Sequence, residues 1–172
     1  MNQKITAFLF GLLGTTLLIC SCILALYFRQ SSQQAALYSQ LAASASYFDT
    51  GELTGEGSLL SEREKLYQQN PDIVGWIQIE GTSIDYPVMQ TPTDPNYYLK
   101  HDFEKNYTDY GCPFMQADCD ALAPSDNLII YGHNMKDGSM FADLAKYRSK
   151  DFWQAHKTVW FDTAAGGCSY EI

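Results

Sequence analysis

His133 stands directly after the apolar run NLIIYG (127–132) and directly before the polar, turn-rich NMKDG (134–138). A histidine on a loop held by a strand can move protons near neutral pH, ligate a metal, or simply be a polar residue where the chain leaves the core. The other two histidines read as structural. His101 sits within YYLKHDF, and His156 ends a helical pattern, where the helix dipole favours a cation. No histidine pairs with a cysteine at a spacing typical of zinc, so neither a metal nor another cofactor is expected.

The cysteines divide by position. Cys20 and Cys22 lie in an apolar N-terminal segment, whereas Cys112, Cys119 and Cys168 lie beyond it. A hairpin could bring Cys112 to Cys119 for a disulfide; small buried thiols are the alternative. Cys168 is the only cysteine after His133. Its setting, AGGCSYEI, offers no cation to stabilise a thiolate. GHNMKDG has two glycines but matches neither phosphate-cradling pattern. Asp118 and Asp120 fall in a polar loop.

The elements that would hold these residues follow from composition and period. The segment ITAFLFGLLGTTLLICSCILALYF (5–28) carries no charge. As a helix it reaches roughly 36 Å, enough to span a hydrocarbon core of about 30 Å. It exceeds the apolar stretch of a cleaved signal peptide, so an uncleaved anchor with the remaining chain outside is expected. The formal charge is -9. A chain this acidic lacks the clustered Lys and Arg that bind nucleic acid or anionic lipid through phosphates.

Residues 30–60 are rich in Gln, Ser, Ala and Gly and read as a linker whose first half can extend a helix. Ser61 and Glu64 form a capping-box pattern for a short helix that Asn70-Pro71 stops. Then the period changes to two. IVGWIQIEG (73–81) and SIDYPVMQ (83–90) read as strands joined at EGTS. DPNYYLKHDF (94–103) reads as a helical turn, and GCPFMQ (111–116) as a short strand. NLIIYG is the most apolar strand and is expected to be central. Residues 139–156 read as helix with Met140, Leu144 and Tyr147 on one face, and Ser149 breaks it and caps a second short helix. KTVWFDT (157–163) and CSYEI (168–172) are strands. The set implies a mainly β barrel or sandwich with peripheral helices, residues 61–172 forming one domain.

Taken together, these segments resemble a class B sortase. The resemblance runs from about Glu62 to Ile172. It rests on NPDIVGWIQIEGTSIDYPVMQ (70–90), YYLKHDF (97–103), YGCPFMQ (110–116) and above all NLIIYGHNMKDGSMFADLAKY (127–147). It implies a sortase-type β-barrel behind a transmembrane helix, on the outer face of a Gram-positive cell membrane. It also implies a cysteine transpeptidase. A thiolate attacks the carbonyl after Thr in the C-terminal sorting motif of a surface protein, and an amine of a cell-wall peptide resolves the thioacyl intermediate.

By motif match His133 takes the histidine role, protonating the leaving amine and later accepting a proton from the incoming one. Tyr131 and Leu99 match positions lining the sorting-motif groove. The family often has Asp-Asn before Tyr-Tyr-Leu; here the residues are Asp94, Pro95 and Asn96. The family's Thr-Leu-x-Thr-Cys strand and the arginine after it are absent from these residues, and Arg148 does not match. The 172 residues are therefore expected to be inactive alone. The resemblance also leaves a barrel lacking its last strands, which would expose apolar residues of NLIIY and TVWF. Two other readings are a membrane-tethered, non-catalytic peptide-binding remnant and an extracellular metal or thiol-redox protein.

Overall fold

The sheet is built around β1 (Ile73–Ile79), whose alternation buries Gly75, Ile77 and Ile79 and leaves Trp76 and Gln78 half-exposed. A tight turn follows it. Gly81 takes φ 75, and the Thr82 hydroxyl donates to the Ile79 carbonyl at 2.6 Å and accepts from the Ile84 amide at 3.0 Å. This turn sets the antiparallel register of β2 (Asp85–Met89), with Ile77 opposite Tyr86 and Trp76 opposite Pro87. On its other side β1 pairs antiparallel with β5 (Thr158–Thr163), Ile77 facing Phe161.

The computed structural model describes residues 3–45, 65–123, 127–163 and 166–172. Among these, β3 (Phe114–Met115) runs parallel to β2, and β4 (Ile130–Tyr131) pairs antiparallel with β3. β6 (Gly166–Glu171) pairs along its length with β5. The result is a curled, half-barrel sheet of six strands in the order β4-β3-β2-β1-β5-β6. Ile84, Val88 and Met89 are fully buried, and Tyr98, Phe103, Met115 and Met140 nearly so. Burial of side chains this size contributes about 1.5–3 kcal/mol each.

α1 (Gln3–Ala45) is one continuous helix. The chain forms two compact units, Met1–Leu37 and Tyr38–Ile172. In the first, apolar side chains from Phe8 to Phe28 are exposed. This helix is long and apolar enough to cross a membrane. Thr15, Thr16 and Ser21 return their hydroxyls to backbone carbonyls one turn earlier at 2.8–2.9 Å, which satisfies them without water. In the second unit, Tyr38, Leu41 and Ala45 form a buried stripe at i, i+3, i+7. The helix thus continues well into the expected linker; its remainder and the Ser61 cap lie outside the described residues. Residues 65–69 are helical, and the Asn70 amide closes that turn on the Leu66 carbonyl at 2.9 Å.

Two expectations need correction. NLIIYG is not central: only Ile130 and Tyr131 form β4, which is an edge strand of the described sheet. Apolarity records what a strand can bury, not how many neighbours it has, and here Leu128, Ile129 and Ile130 are only partly covered. The helix from 139 is a 3-10 helix, Phe141–Arg148. With three residues per turn it does not keep the expected face, so Met140 is buried as its N-cap while Leu144 is exposed. Ser149 does cap the following helix, Lys150–Ala155, accepting from the Phe152 amide.

Candidate active site

Asn70 organises the first wall of the site. Its side-chain amide donates to the Tyr98 hydroxyl at 2.8 Å and to the Phe103 carbonyl at 2.7 Å. Its oxygen accepts from the Asp72 amide at 3.1 Å. The Tyr98 hydroxyl donates onward to Asp72 at 2.8 Å, and Lys105 pairs with the same carboxylate at 2.8 Å. Partial burial alone would raise the Asp72 pKa, but the bonds from Lys105 and Tyr98 outweigh it and hold the carboxyl below its ordinary value. Tyr98 lies in a 3-10 turn, Tyr97–Leu99, and is buried; Leu99, next along, projects outward and is 40% exposed.

The second wall is the segment after β4. The Phe141 amide donates to the His133 carbonyl at 2.8 Å, and Asn134 bridges Met140. Within the loop Asp137 accepts from the Ser139 amide and hydroxyl at 3.1 and 2.7 Å, and from the Tyr110 hydroxyl. Met140 takes φ 56, an unfavourable angle for a side-chain-bearing residue. It is held by burial and by its amide donating to the Tyr86 hydroxyl at 3.2 Å. Gly132 has no room for a side chain, since a Cβ there would lie 2.6 Å from the Phe141 ring.

The walls meet at His133. Its Nε2 lies 2.8 Å from the Leu99 carbonyl oxygen. A carbonyl only accepts, so Nε2 carries a proton, and in the neutral form of the ring the lone pair is at Nδ1. Nδ1 makes no hydrogen bond among the described residues. The contact therefore fixes both tautomer and ring direction. Lys100, 2.8 Å from Asp109, bonds that carboxyl and holds it below its ordinary pKa. Tyr131 is 45% exposed; its ring tilts against Phe114 at 5.3 Å, and its hydroxyl donates to Gln116 at 2.7 Å.

The structure thus bonds His133 to Leu99 directly and sets Tyr131 two residues before His133, exposed at the sheet edge. Among the described residues no cysteine is hydrogen-bonded to the imidazole. Cys112 is buried, its thiol 3.6 Å from the Pro87 carbonyl, and burial pushes its pKa far up, so it stays protonated. Cys119 is a free thiol like Cys112. Cys168 is exposed on β6, the strand at the other end of the sheet order from β4. No group of His, Cys, Asp and Glu among the described residues could hold a metal. His101 stacks on Tyr97 at 3.9 Å and bonds its carbonyl, and His156 packs against Gly81. Sequence reasoning read Asn70 only as a helix stop and gave Gly111, Tyr110 and Tyr38 no role; the bonds Tyr38–Gly111, Asn70–Tyr98 and Tyr110–Asp137 join residues 27 or more apart, beyond any local pattern.

No protein-family profile matches this chain. It is 44% identical over 116 residues to sortase B of Listeria monocytogenes, covering 67% of this chain and 46% of that protein. It is 40% identical over 109 residues to sortase B of Staphylococcus aureus, covering 63% of this chain and 44% of the other. The chain spans about half the length of these curated relatives. Among solved structures it is similar to the Staphylococcus aureus sortase B-substrate complex, with TM-score 0.73, 31% identity, and coverage of 83% of this chain and 64% of that one. Over the part it spans, the chain belongs to the class B sortases.

Proposed function

We propose that residues 61–172 are the N-terminal part of the catalytic domain of a cysteine transpeptidase, tethered through residues 1–29 as a single-pass membrane anchor on the cell-wall side of a Gram-positive membrane. Residues 30–60 join the two, their first half as helix. The reaction is cleavage of a C-terminal sorting motif after Thr and attachment of the surface protein to a cell-wall amine. The observation that carries this reading is the 2.8 Å bond between His133 Nε2 and the Leu99 carbonyl, within a chain 40–44% identical to two sortases B.

The chemistry assigned to these residues is proton transfer and peptide positioning. His133, protonated on Nε2, takes and gives its mobile proton at Nδ1, which suits it to protonate a leaving amine and deprotonate an entering one. Leu99 and Tyr131 line the groove for the sorting motif, offering an apolar surface and an aromatic face. The nucleophilic thiolate and the cationic oxyanion partner are not among these residues, so the 172 residues alone do not turn over.

The test pairs binding with turnover. A synthetic peptide carrying a C-terminal sorting signal is titrated into the isotope-labelled chain in detergent, alone and with an amine acceptor. Resonances of Leu99, Tyr131 and His133 should shift together, with no acyl transfer. Transfer that persists in His133→Ala, or binding that bypasses all three residues, overturns the assignment. A second reading, a non-catalytic peptide-binding domain, is favoured by the protonated, buried Cys112 and by the distance in sheet order of Cys168. It is distinguished by whether a longer polypeptide containing a Thr-Leu-x-Thr-Cys strand gains His133-dependent transfer.

A further inference from the structure

Two residues outside the expected site, Gly111 and Tyr38, stand behind the Leu99 carbonyl. Gly111 takes φ 59, and its Cα is packed onto that turn. A Cβ there would lie 2.5 Å from the Tyr98 carbonyl oxygen and 2.7 Å from the Leu99 carbonyl oxygen. The next amide, Cys112, donates to the Tyr98 carbonyl at 2.9 Å. Gly111 therefore forms the floor beneath the carbonyl that His133 bonds. Gly111 is itself fixed from behind by the Tyr38 hydroxyl, which donates to its carbonyl at 2.6 Å. Tyr38 has little freedom: it is 5% exposed and meets Tyr86 edge-on at 5.2 Å. Tyr110, one residue before Gly111, donates to Asp137 in the loop that carries His133. One short segment, Tyr110-Gly111, thus steadies both partners of the His133–Leu99 bond.

We propose that Tyr38, in the last turns of α1, is a positioning residue for His133, acting through Gly111 and the Leu99 carbonyl. The function served rests on the reading of His133 as the proton-transfer group, but the positioning does not. The relay is Tyr38 hydroxyl to Gly111 carbonyl, Gly111 Cα to Leu99 carbonyl, and Leu99 carbonyl to His133 Nε2–H. The steps from Tyr38 to the Leu99 carbonyl are hydrogen bonding and packing alone. The relay's effect is to keep the proton on Nε2 and the lone pair on Nδ1.

The test reads the ring, not activity. The 172-residue chain is labelled with 15N-histidine in detergent, and the tautomer and Nε2–H exchange of His133 are compared with those of His156, whose ring lies against Gly81. Tyr38→Phe keeps the ring and removes only the hydroxyl. It should increase Nε2–H exchange at His133 several-fold, up to roughly tenfold for loss of one hydrogen bond's constraint, with His156 unchanged. Gly111→Ala, which displaces the carbonyl directly, should shift His133 toward the Nδ1–H tautomer. If either variant folds and leaves His133 as in the parent chain, the relay is wrong. Equal loosening at His133 and His156 means a general packing role for Tyr38 and also overturns it. Failure of the transpeptidase reading would show in the peptide titration and leave these ring measurements intact.

Discussion

Asn70 offers the sharpest test of how this site is held. It is 1% exposed, and its side chain makes three hydrogen bonds, to the Tyr98 hydroxyl, the Phe103 carbonyl and the Asp72 amide. In Asn70→Ala the Tyr98 hydroxyl still donates to Asp72, so the groups left without this partner are the Phe103 carbonyl and the Asp72 amide. Each orphaned buried group costs about 1–3 kcal/mol, and neighbouring losses do not add fully, so the variant should lose about 3 kcal/mol. Asn70→Asp keeps the acceptor for the Asp72 amide but sets an oxygen against the Phe103 carbonyl and a second carboxylate near Asp72. Ionised, that carboxylate penalises the folded state; protonated, it can donate to Phe103. Its folded pKa is therefore raised, and its stability deficit relative to the parent chain should shrink as pH falls below about 5. The assay is urea unfolding followed by tyrosine and tryptophan fluorescence between pH 7 and 4. A loss under 1 kcal/mol for Asn70→Ala, or a pH-independent deficit for Asn70→Asp, would refute this account of the first wall.

Other outcomes are more modest. His133→Ala should cost only about 0.5–1.5 kcal/mol of stability, because it removes one bond at a half-exposed position, measurable by the same unfolding curves. Gly132→Ala forces the Phe141 ring aside and should cost about 1–3 kcal/mol, with the resonances of His133 shifted. Asp72 and Asp143 both have depressed pKa values; burial opposes the shift in each, and the bonds from Lys105 and Tyr98, or from Lys146 and Ser83, prevail. Their contribution to stability is complete above the ordinary carboxylate value of about 3.9 and is lost as pH falls through the lower folded values. The urea midpoint should drop between about pH 4 and 2, less so in Asp72→Asn and Asp143→Asn. Trp160, on β5, is 49% exposed, and the chain should associate with increasing concentration; Trp160→Thr should reduce that association in light scattering.

The central strand pair was legible because period-two alternation is local: Trp76 and Gln78 point one way and Ile77 and Ile79 the other, as the burial shows. The Ser149 cap was legible for the same reason, since a hydroxyl reaches its own first turn. β4 was misplaced because apolarity reports burial capacity and says nothing of pairing order. The 3-10 segment was misread because an eight-residue stretch cannot separate a period of 3.0 from 3.6 by apolar residues alone. At the site, spacing left His133 among three alternatives, and only the resemblance gave it a role. Its tether was invisible: a backbone carbonyl has no sequence signature, and neither does the glycine beneath it. Tyr38 was read as linker because its partners come much later in the chain.

That last separation has a consequence for biosynthesis. The Tyr38 hydroxyl and the Gly111 carbonyl that it meets are 73 residues apart. At a synthesis rate of about 5–20 residues per second, roughly 4–15 s pass between the appearance of the helix end and that of its partner. For the first part of that interval, until Tyr86 is made 48 residues on, Tyr38 lacks the ring that it meets edge-on. The final turns of α1 thus leave the ribosome early and find their place late. A nascent chain stalled just before Gly111 should be a far better chaperone client than one stalled after β3.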